Sequence, residues 1–310
     1  MFVVCGEALM DVFGQGDTPG GMALDARIGG SPFNVAMGLA RLGQPVSFFG
    51  GISRGFVGER LQRALRDEGI GGDTVVPLDA PTTLSLIGLD AHGVPSYAFY
   101  GEGCADRLLP ASALAQVPST ARAFHFGSYT MVVEPVAQTL RALVERERGR
   151  ALIAYDPNIR LNVEPDIGRW REVLQWMAAR AHLLKISEED LALLAPGAAP
   201  ATLAAQWIAQ GVALVVVTRG GDGAWAWTAR EHVDVPAAPS VLVDTVGAGD
   251  TFQAALLAWL AERGVLSAAA LLALNAAQLR AALGFAAQAA AITCSRRGAD
   301  LPRRAELPVG

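Results

Sequence analysis

Between Val241 and Phe252 the chain reads Val-Leu-Val-Asp-Thr-Val-Gly-Ala-Gly-Asp-Thr-Phe. A short apolar run, expected as a strand over Val241–Val243, gives way to Gly247, Ala248 and Gly249, and a helical pattern follows from Phe252 to Leu260. Small residues at a helix start let backbone N–H groups approach an anion closely, and the helix dipole adds favourable potential there. Gly247, Ala248 and Gly249 are therefore expected to form an anion hole for a phosphate whose charge grows during transfer. Asp250 falls in the first turn of that helix. A carboxylate beside an anion hole repels a phosphate, but it suits a base that takes a proton from an attacking hydroxyl. Taken alone, the segment fits Asp250 equally well as a helix N-cap, and both readings stand at this point.

A second polar segment, Asp156-Pro157-Asn158-Ile159-Arg160, follows the apolar run Leu152–Tyr155. Open α/β sheets take their ligands at such strand ends. The planar fork of Arg160 matches phosphate oxygens, although it would also pair with a surface carboxylate. Lys185-Ile186-Ser187-Glu188-Glu189-Asp190 follows the next apolar run, and reads as an acidic cluster or as a charged helix start. Thr218-Arg219-Gly220-Gly221-Asp222-Gly223 is a glycine-rich loop after a third. The chain has no Gly-x-x-x-x-Gly-Lys-Ser/Thr phosphate loop and no Gly-x-Gly-x-x-Gly after a strand.

These segments need elements to position them. Short apolar runs alternate with helical patterns through most of the chain: helices over 34–42, 58–68, 135–147, 170–179 and 201–210, and strands over 3–4, 45–49, 123–126, 152–155, 182–186 and 213–218. That rhythm predicts βαβ units around a mostly parallel sheet. Two stretches break it. Thr82–Leu89 and Val94–Tyr100 flank Asp90-Ala91-His92-Gly93 and read as a β-hairpin, and residues 11–28 have the same character. The two insertions are expected to form a small sheet standing off the main body as a lid. After Asp250 the chain reads as almost purely helical.

Composition narrows the function class. The chain has 310 residues, 52% of them hydrophobic, and a formal charge of -5, with no basic stripe of the kind nucleic-acid binding needs. Cys5, Cys104 and Cys294 are few and widely separated, which favours reduced thiols and a cytoplasmic protein. The first residues do not resemble a secretory signal, and charged residues interrupt every apolar stretch before it reaches spanning length. Neither nucleic acid nor membrane is expected as a partner.

The segment 244–252 resembles the C-terminal signature of the ribokinase-like (PfkB) carbohydrate kinases. Gly29-Gly30-Ser31-Pro32-Phe33-Asn34-Val35-Ala36, followed by Gly38-Leu39-Ala40-Arg41-Leu42-Gly43, is similar to their N-terminal signature, and further similarity covers nearly the whole chain. The resemblance implies one ribokinase-like kinase domain over 1–310, a three-layer α/β/α sandwich, with lid strands inserted at about 11–28 and 82–103. It implies that Asp250 is the catalytic base, and that Gly247, Ala248 and Gly249 form the anion hole. Asp11, Gly29, Gly30, Asn34 and Arg160 would bind the substrate, and Thr218, Gly220 and Gly223 would contact ATP. Where ribokinases carry an Asn-x-x-Glu motif that helps hold hydrated magnesium, this chain has Ser187 and Asp190, so Asp190 and Glu188 are the expected metal residues, through water. Many members bind a monovalent cation such as potassium near the position of Asp244. One expected residue is missing, because an acid usually stands where Gly55 does.

Several segments look more like bacterial fructokinases than ribokinase proper: 6–11, 81–84, 100–106, 125–128 and 187–190. The expected activity is transfer of a phosphoryl group from ATP to fructose, giving fructose 6-phosphate. A 2-keto-3-deoxygluconate kinase is the alternative within the class, and a non-catalytic sugar- or nucleotide-binding relative the alternative outside it. Tyr97 and Phe99 would pack over the sugar, hold the hairpin together or form a dimer seam. A homodimer clasped through the lids is a further expectation of the family.

Overall fold

A computed structural model describes residues 1–89 and 95–308. Its centre is a nine-stranded sheet built from β1 (Phe2–Cys5), β4 (Val46–Ser53), β5 (Val75–Leu78), β8 (Ala123–Gly127), β9 (Leu152–Asp156), β10 (Leu183–Ser187), β11 (Leu214–Thr218), β12 (Ala224–Trp227) and β13 (His232–Val235). The spatial order is β13-β12-β11-β10-β9-β8-β1-β4-β5. All neighbours from β11 to β5 run parallel, while β12 and β13 return antiparallel at one edge.

Strict alternation along each strand explains why the sheet is covered on both faces. Phe2, Val4, Leu214 and Val216 enter one core together with Phe33, Leu39, Leu256 and Leu283; Val3, Cys5, Val215 and Val217 enter the other with Leu140, Trp170, Met177 and Trp207. Successive side chains of a strand point to opposite faces, so continuous apolar runs bury only between two helical layers. The first layer holds α1 (Ser31–Arg41), α2 (Phe56–Asp67), α7 (Ala248–Glu262), α8 (Ala268–Leu272) and α9 (Ala276–Cys294); the second holds α3 (Val136–Glu147), α4 (Ile167–Ala178), α5 (Glu188–Leu194) and α6 (Pro200–Gln210).

A separate four-stranded sheet has the order β3-β2-β6-β7, from β2 (Leu9–Thr18), β3 (Gly21–Gly29), β6 (Leu84–Leu89) and β7 (Pro95–Tyr100). The two expected insertions supply its strands, joined by parallel pairing of β2 with β6. The expected turn at Asp90–Gly93 lies outside the described residues.

One expectation fails. Val241–Val243 is not a strand: Val241 is 79% exposed, Leu242 67% and Val243 58%. The segment follows β13, the edge strand, and its backbone leans on the end of α9, with Val243 and Asp244 N–H both donating to the carbonyl of Cys294. An apolar run makes a strand only where a sheet edge accepts it. Gly55, where an acid was expected, stands at the N-cap of α2, and no side chain caps that helix. No helix among the described residues is long and apolar enough to cross a membrane.

Candidate active site

The carboxyl ends of β1, β8, β9, β10 and β11 open on one edge, and the order of strands reverses between β1 and β8. Crevices of this kind are where open α/β sheets bind ligands. Helix α7 begins above this edge. Gly247 occupies the N-cap position with φ +78°, and a Cβ there would lie 2.7 Å from the Ala299 Cβ. Both the left-handed backbone and the close approach require glycine. The Thr245 carbonyl accepts the Ala248 N–H at 3.2 Å, so that donor of the expected anion hole is already engaged.

Asp250 is not the cap. It sits in the first turn, half-buried, and both of its carboxylate oxygens are held from α1: Ser31 Oγ donates to Oδ1 at 2.6 Å and Asn34 Nδ2 donates to Oδ2 at 2.8 Å. Residues 31 and 34 lie three apart and share one helix face. Burial raises the Asp250 carboxyl above the ordinary aspartate range. The bonds from Ser31 and Asn34 and the Lys185 ammonium pull it back, and the Asp156 carboxylate adds to the rise. Each oxygen keeps a further lone pair, so a hydroxyl can still donate to Asp250.

The start of α1 is set by two glycines. Gly30 has φ +104°, and a Cβ on it would lie 2.7 Å from the Glu7 carbonyl oxygen; one on Gly29 would coincide with the Asp11 carboxylate, 2.1 Å from Oδ2. Without side chains at these positions, Asp11 on β2 can lie against the entry to α1. Burial pushes the Asp11 carboxyl up to about 6; a Ser85 hydrogen bond and the Arg160 charge oppose the rise, and Asp250 adds to it. Asp11, Asp250 and Arg160 thus share one electrostatic field. Arg160 is exposed, and its guanidinium donates to the Ile159 carbonyl at 2.9 Å.

At the end of β10 the two expected metal residues part company. Asp190 is turned inward, 8% exposed, where its carboxylate accepts the Ile159 N–H at 3.3 Å; Glu188 is exposed in the same first turn. Residues two apart on a helix do not face each other, so the pair does not converge on one ion. Burial and the neighbouring Asp156 raise Asp190 to about 6, against the pull of Arg160 and Lys185. Among the described residues, no three His, Cys, Asp or Glu side chains form a metal cluster.

Thr218 closes β11, and Gly220 and Gly223, with φ +52° and +95°, turn the chain back into β12. A Cβ on Gly223 would lie 2.0 Å from the Val235 carbonyl oxygen, so this glycine is also required by the edge hairpin. Asp244 accepts the Val246 N–H at 3.1 Å and the Gly298 N–H at 2.8 Å, tying the loop before α7 to the segment after α9.

The chain is similar to known proteins over nearly its whole length. The family model described as "pfkB family carbohydrate kinase" matches residues 1–305. A fructokinase of Rhizobium leguminosarum bv. trifolii is 35% identical over 310 residues, spanning 100% of this chain and 93% of that protein. The chain belongs to the pfkB family of carbohydrate kinases. Among solved structures, a fructokinase from Xylella fastidiosa with bound ATP is 28% identical with a TM-score of 0.86, covering 99% of this chain and 94% of its own. A fructokinase from Vibrio cholerae O395, solved in fructose, ADP and calcium ion bound form, is 25% identical with a TM-score of 0.78, covering 96% and 94%.

For a pfkB carbohydrate kinase, some site residues escape sequence reading. Ser31, inside the N-terminal signature segment, holds Asp250 from 219 positions away, a contact that the segment's own spacing does not show. Lys185 and Asp156 form a buried ion pair at 2.7 Å, Nζ to Oδ2. Their signal was available, since a lysine between Leu184 and Ile186 places a charge in a strand whose neighbours are all buried. Beneath them His125 on β8 meets Gln253 on α7 at 3.4 Å, 128 positions apart. Burial, with the Lys185 charge, holds the His125 imidazole down at about 3, so it is neutral.

Proposed function

We propose that this carbohydrate kinase transfers the γ-phosphoryl group of ATP to fructose, with Asp250 as general base. The observation that carries the reading is the fixing of Asp250 by Ser31 and Asn34 at the first turn of α7, beside a glycine-opened helix start. The names of the relatives support fructose and ATP as the substrate pair.

The sugar lies between the carboxyl edge of the sheet and the small sheet, its hydroxyls held by Asp11, Asn34 and Arg160, with Gly29 and Gly30 allowing close approach. Asn34 then has two roles, because the same amide that steadies Asp250 faces the acceptor side. The attacking hydroxyl donates to Asp250, its proton moves to the carboxylate as the new P–O bond forms, and the ADP oxygen departs with the electron pair of the broken bond. The N–H groups of Gly247 and Gly249 and the α7 dipole stabilise the charge on the transferring group, the Ala248 N–H being engaged by the Thr245 carbonyl. The nucleotide runs along Thr218, Gly220 and Gly223. The small sheet acts as a lid that excludes water, which would otherwise accept the phosphoryl group.

Magnesium fits here through Asp190, since an ion that keeps most of its waters needs few protein carboxylates, and an inward-facing one suffices. Glu188, on the solvent side, is left out of that role. Bound magnesium would neutralise negative charge on the nucleotide's phosphates. Asp244 remains the candidate beside a potassium ion, at the junction of the two loops it already ties together. The reading includes a cytoplasmic enzyme, and a homodimer joined through the small sheet, where Met22 and Leu24 of β3 are 63% and 51% exposed.

The test is ADP release with magnesium and ATP across fructose, ribose, 2-keto-3-deoxygluconate and nucleosides. Turnover on fructose supports the reading; turnover only on another sugar keeps the mechanism and rejects fructose. No turnover from folded protein would overturn both.

A further inference from the structure

Lys185 is the buried cation nearest the helix start at which phosphoryl transfer is placed. Its side chain is 5% exposed, and a Cβ built on Gly249 would lie 3.3 Å from its Nζ. The ammonium therefore sits beneath the first turn of α7, against the residue that precedes Asp250. It donates to Asp156 Oδ2 at 2.7 Å. An ammonium has three donors in all, so this bond leaves capacity for an incoming anion. The Asp156 side chain is equally enclosed, and its second oxygen, Oδ1, is buried without a hydrogen-bond partner.

A purely structural ion pair explains this poorly. Burying two charges contributes little net stability unless all their remaining hydrogen-bonding groups are satisfied, and here one oxygen is not. Asp156 closes β9 at its carboxyl end, where the ligand edge is, and Lys185, from the middle of β10, extends its ammonium up to it. The charge balance points the same way. Four carboxylates, from Asp11, Asp156, Asp190 and Asp250, border the edge, while the cations acting on them are Lys185 and Arg160. A polyphosphate entering that field needs a cation on the protein side of the transferring group. Arg160 is exposed on the sugar side, next to Asp11. Lys185 is enclosed under the anion hole.

We infer that Lys185 is a phosphoryl-binding residue: its ammonium, parked on Asp156 when the site is empty, donates to an oxygen of the γ-phosphoryl group at Gly249. This rests on the kinase reading above and adds a contact made to the γ-phosphoryl group and absent from ADP. Charge-assisted bonds of this kind, in a water-poor site, are among the stronger single contributions to transfer.

The test measures equilibrium binding of a non-hydrolysable ATP analogue and of ADP, each with magnesium, to the full chain and to Lys185→Met. The expected result is analogue affinity about tenfold weaker, ADP affinity unchanged, and kcat lower by about 10²- to 10³-fold. The double variant Lys185→Met/Asp156→Asn removes both charges together, leaves no unpaired carboxylate in the core, and should show the same selective loss. Equal weakening for both nucleotides, or unchanged analogue binding, would overturn the assignment and leave Lys185 a structural residue. If the unmodified protein itself binds neither nucleotide, the kinase reading fails, and the assignment with it.

Discussion

At the scale of single residues, the proposed mechanism turns on one carboxylate and the groups that tune it. Asp250→Asn keeps the size and hydrogen-bonding shape but removes the base; kcat should fall by about 10²- to 10⁴-fold while the sugar still binds, as steady-state kinetics and sugar titration would show. Retained turnover would mean another group takes the proton. Because burial raises the Asp250 carboxyl, and a base must be deprotonated to work, activity should grow as pH rises through a limb above the ordinary aspartate range. Ser31 donates to the charged form and lowers that limb. Ser31→Ala should therefore move it to higher pH, read from kcat/KM profiles; an unmoved limb would show that another group titrates. In the sequence, Gly-Ala-Gly-Asp fits a base and a helix cap equally well, and the structure removes the cap reading by placing Gly247 at the N-cap. The contact from Ser31 was not legible, because a hydrogen bond across 219 positions leaves no trace in local spacing.

At the scale of elements, the decisive contact is between α1 and α7. A Cβ on Gly38 would lie 2.6 Å from the Ala254 Cβ and 2.7 Å from Leu301 Cδ2, so the two helices meet at glycine. That closeness is what brings Ser31 and Asn34 within hydrogen-bonding distance of Asp250. Gly38→Val should force the helices apart, lowering stability by about 1–3 kcal/mol. Unlike an ordinary core substitution, it should also reduce kcat in the protein that remains folded. Denaturant unfolding and kinetics on one preparation would separate the two effects; a stability loss with normal kcat would contradict the proposed coupling. The helices themselves were legible, since α1 and α7 follow strong apolar patterns with clear glycine boundaries. Their crossing was not, because Gly38 looks like any glycine tolerated in a helix until the partner surface is known. Val241–Val243 fails in the opposite way: the local pattern of a strand is present, but no sheet edge receives it.

At the scale of the whole molecule, the mostly parallel sheet and the second small sheet followed from the pattern of apolar runs, whereas the three-layer sandwich came from the family resemblance. The antiparallel return of β12 and β13 did not, because a short edge hairpin lacks the helix that marks a crossover. One global property rests on a buried acid. Glu7, just after β1, is 1% exposed, and burial pushes its carboxyl up to about 8, although Ser128 and Arg160 oppose the rise. The folded chain then keeps a proton that the unfolded chain loses near the ordinary glutamate value of 4.5. Glu7 therefore contributes stability that is fully present below that value and is lost as pH rises to about 8. Glu7→Gln should flatten the fall in Tm across that window, and a profile as steep as that of the unmodified protein would assign the titration elsewhere.

The central claim is phosphoryl transfer from ATP to fructose, and coupled ADP release in the presence of magnesium and fructose tests it most directly. Turnover should depend on both fructose and ATP and should fall by about 10²- to 10⁴-fold in Asp250→Asn. ADP release that is independent of the sugar, or that is undiminished in Asp250→Asn, would contradict the claim.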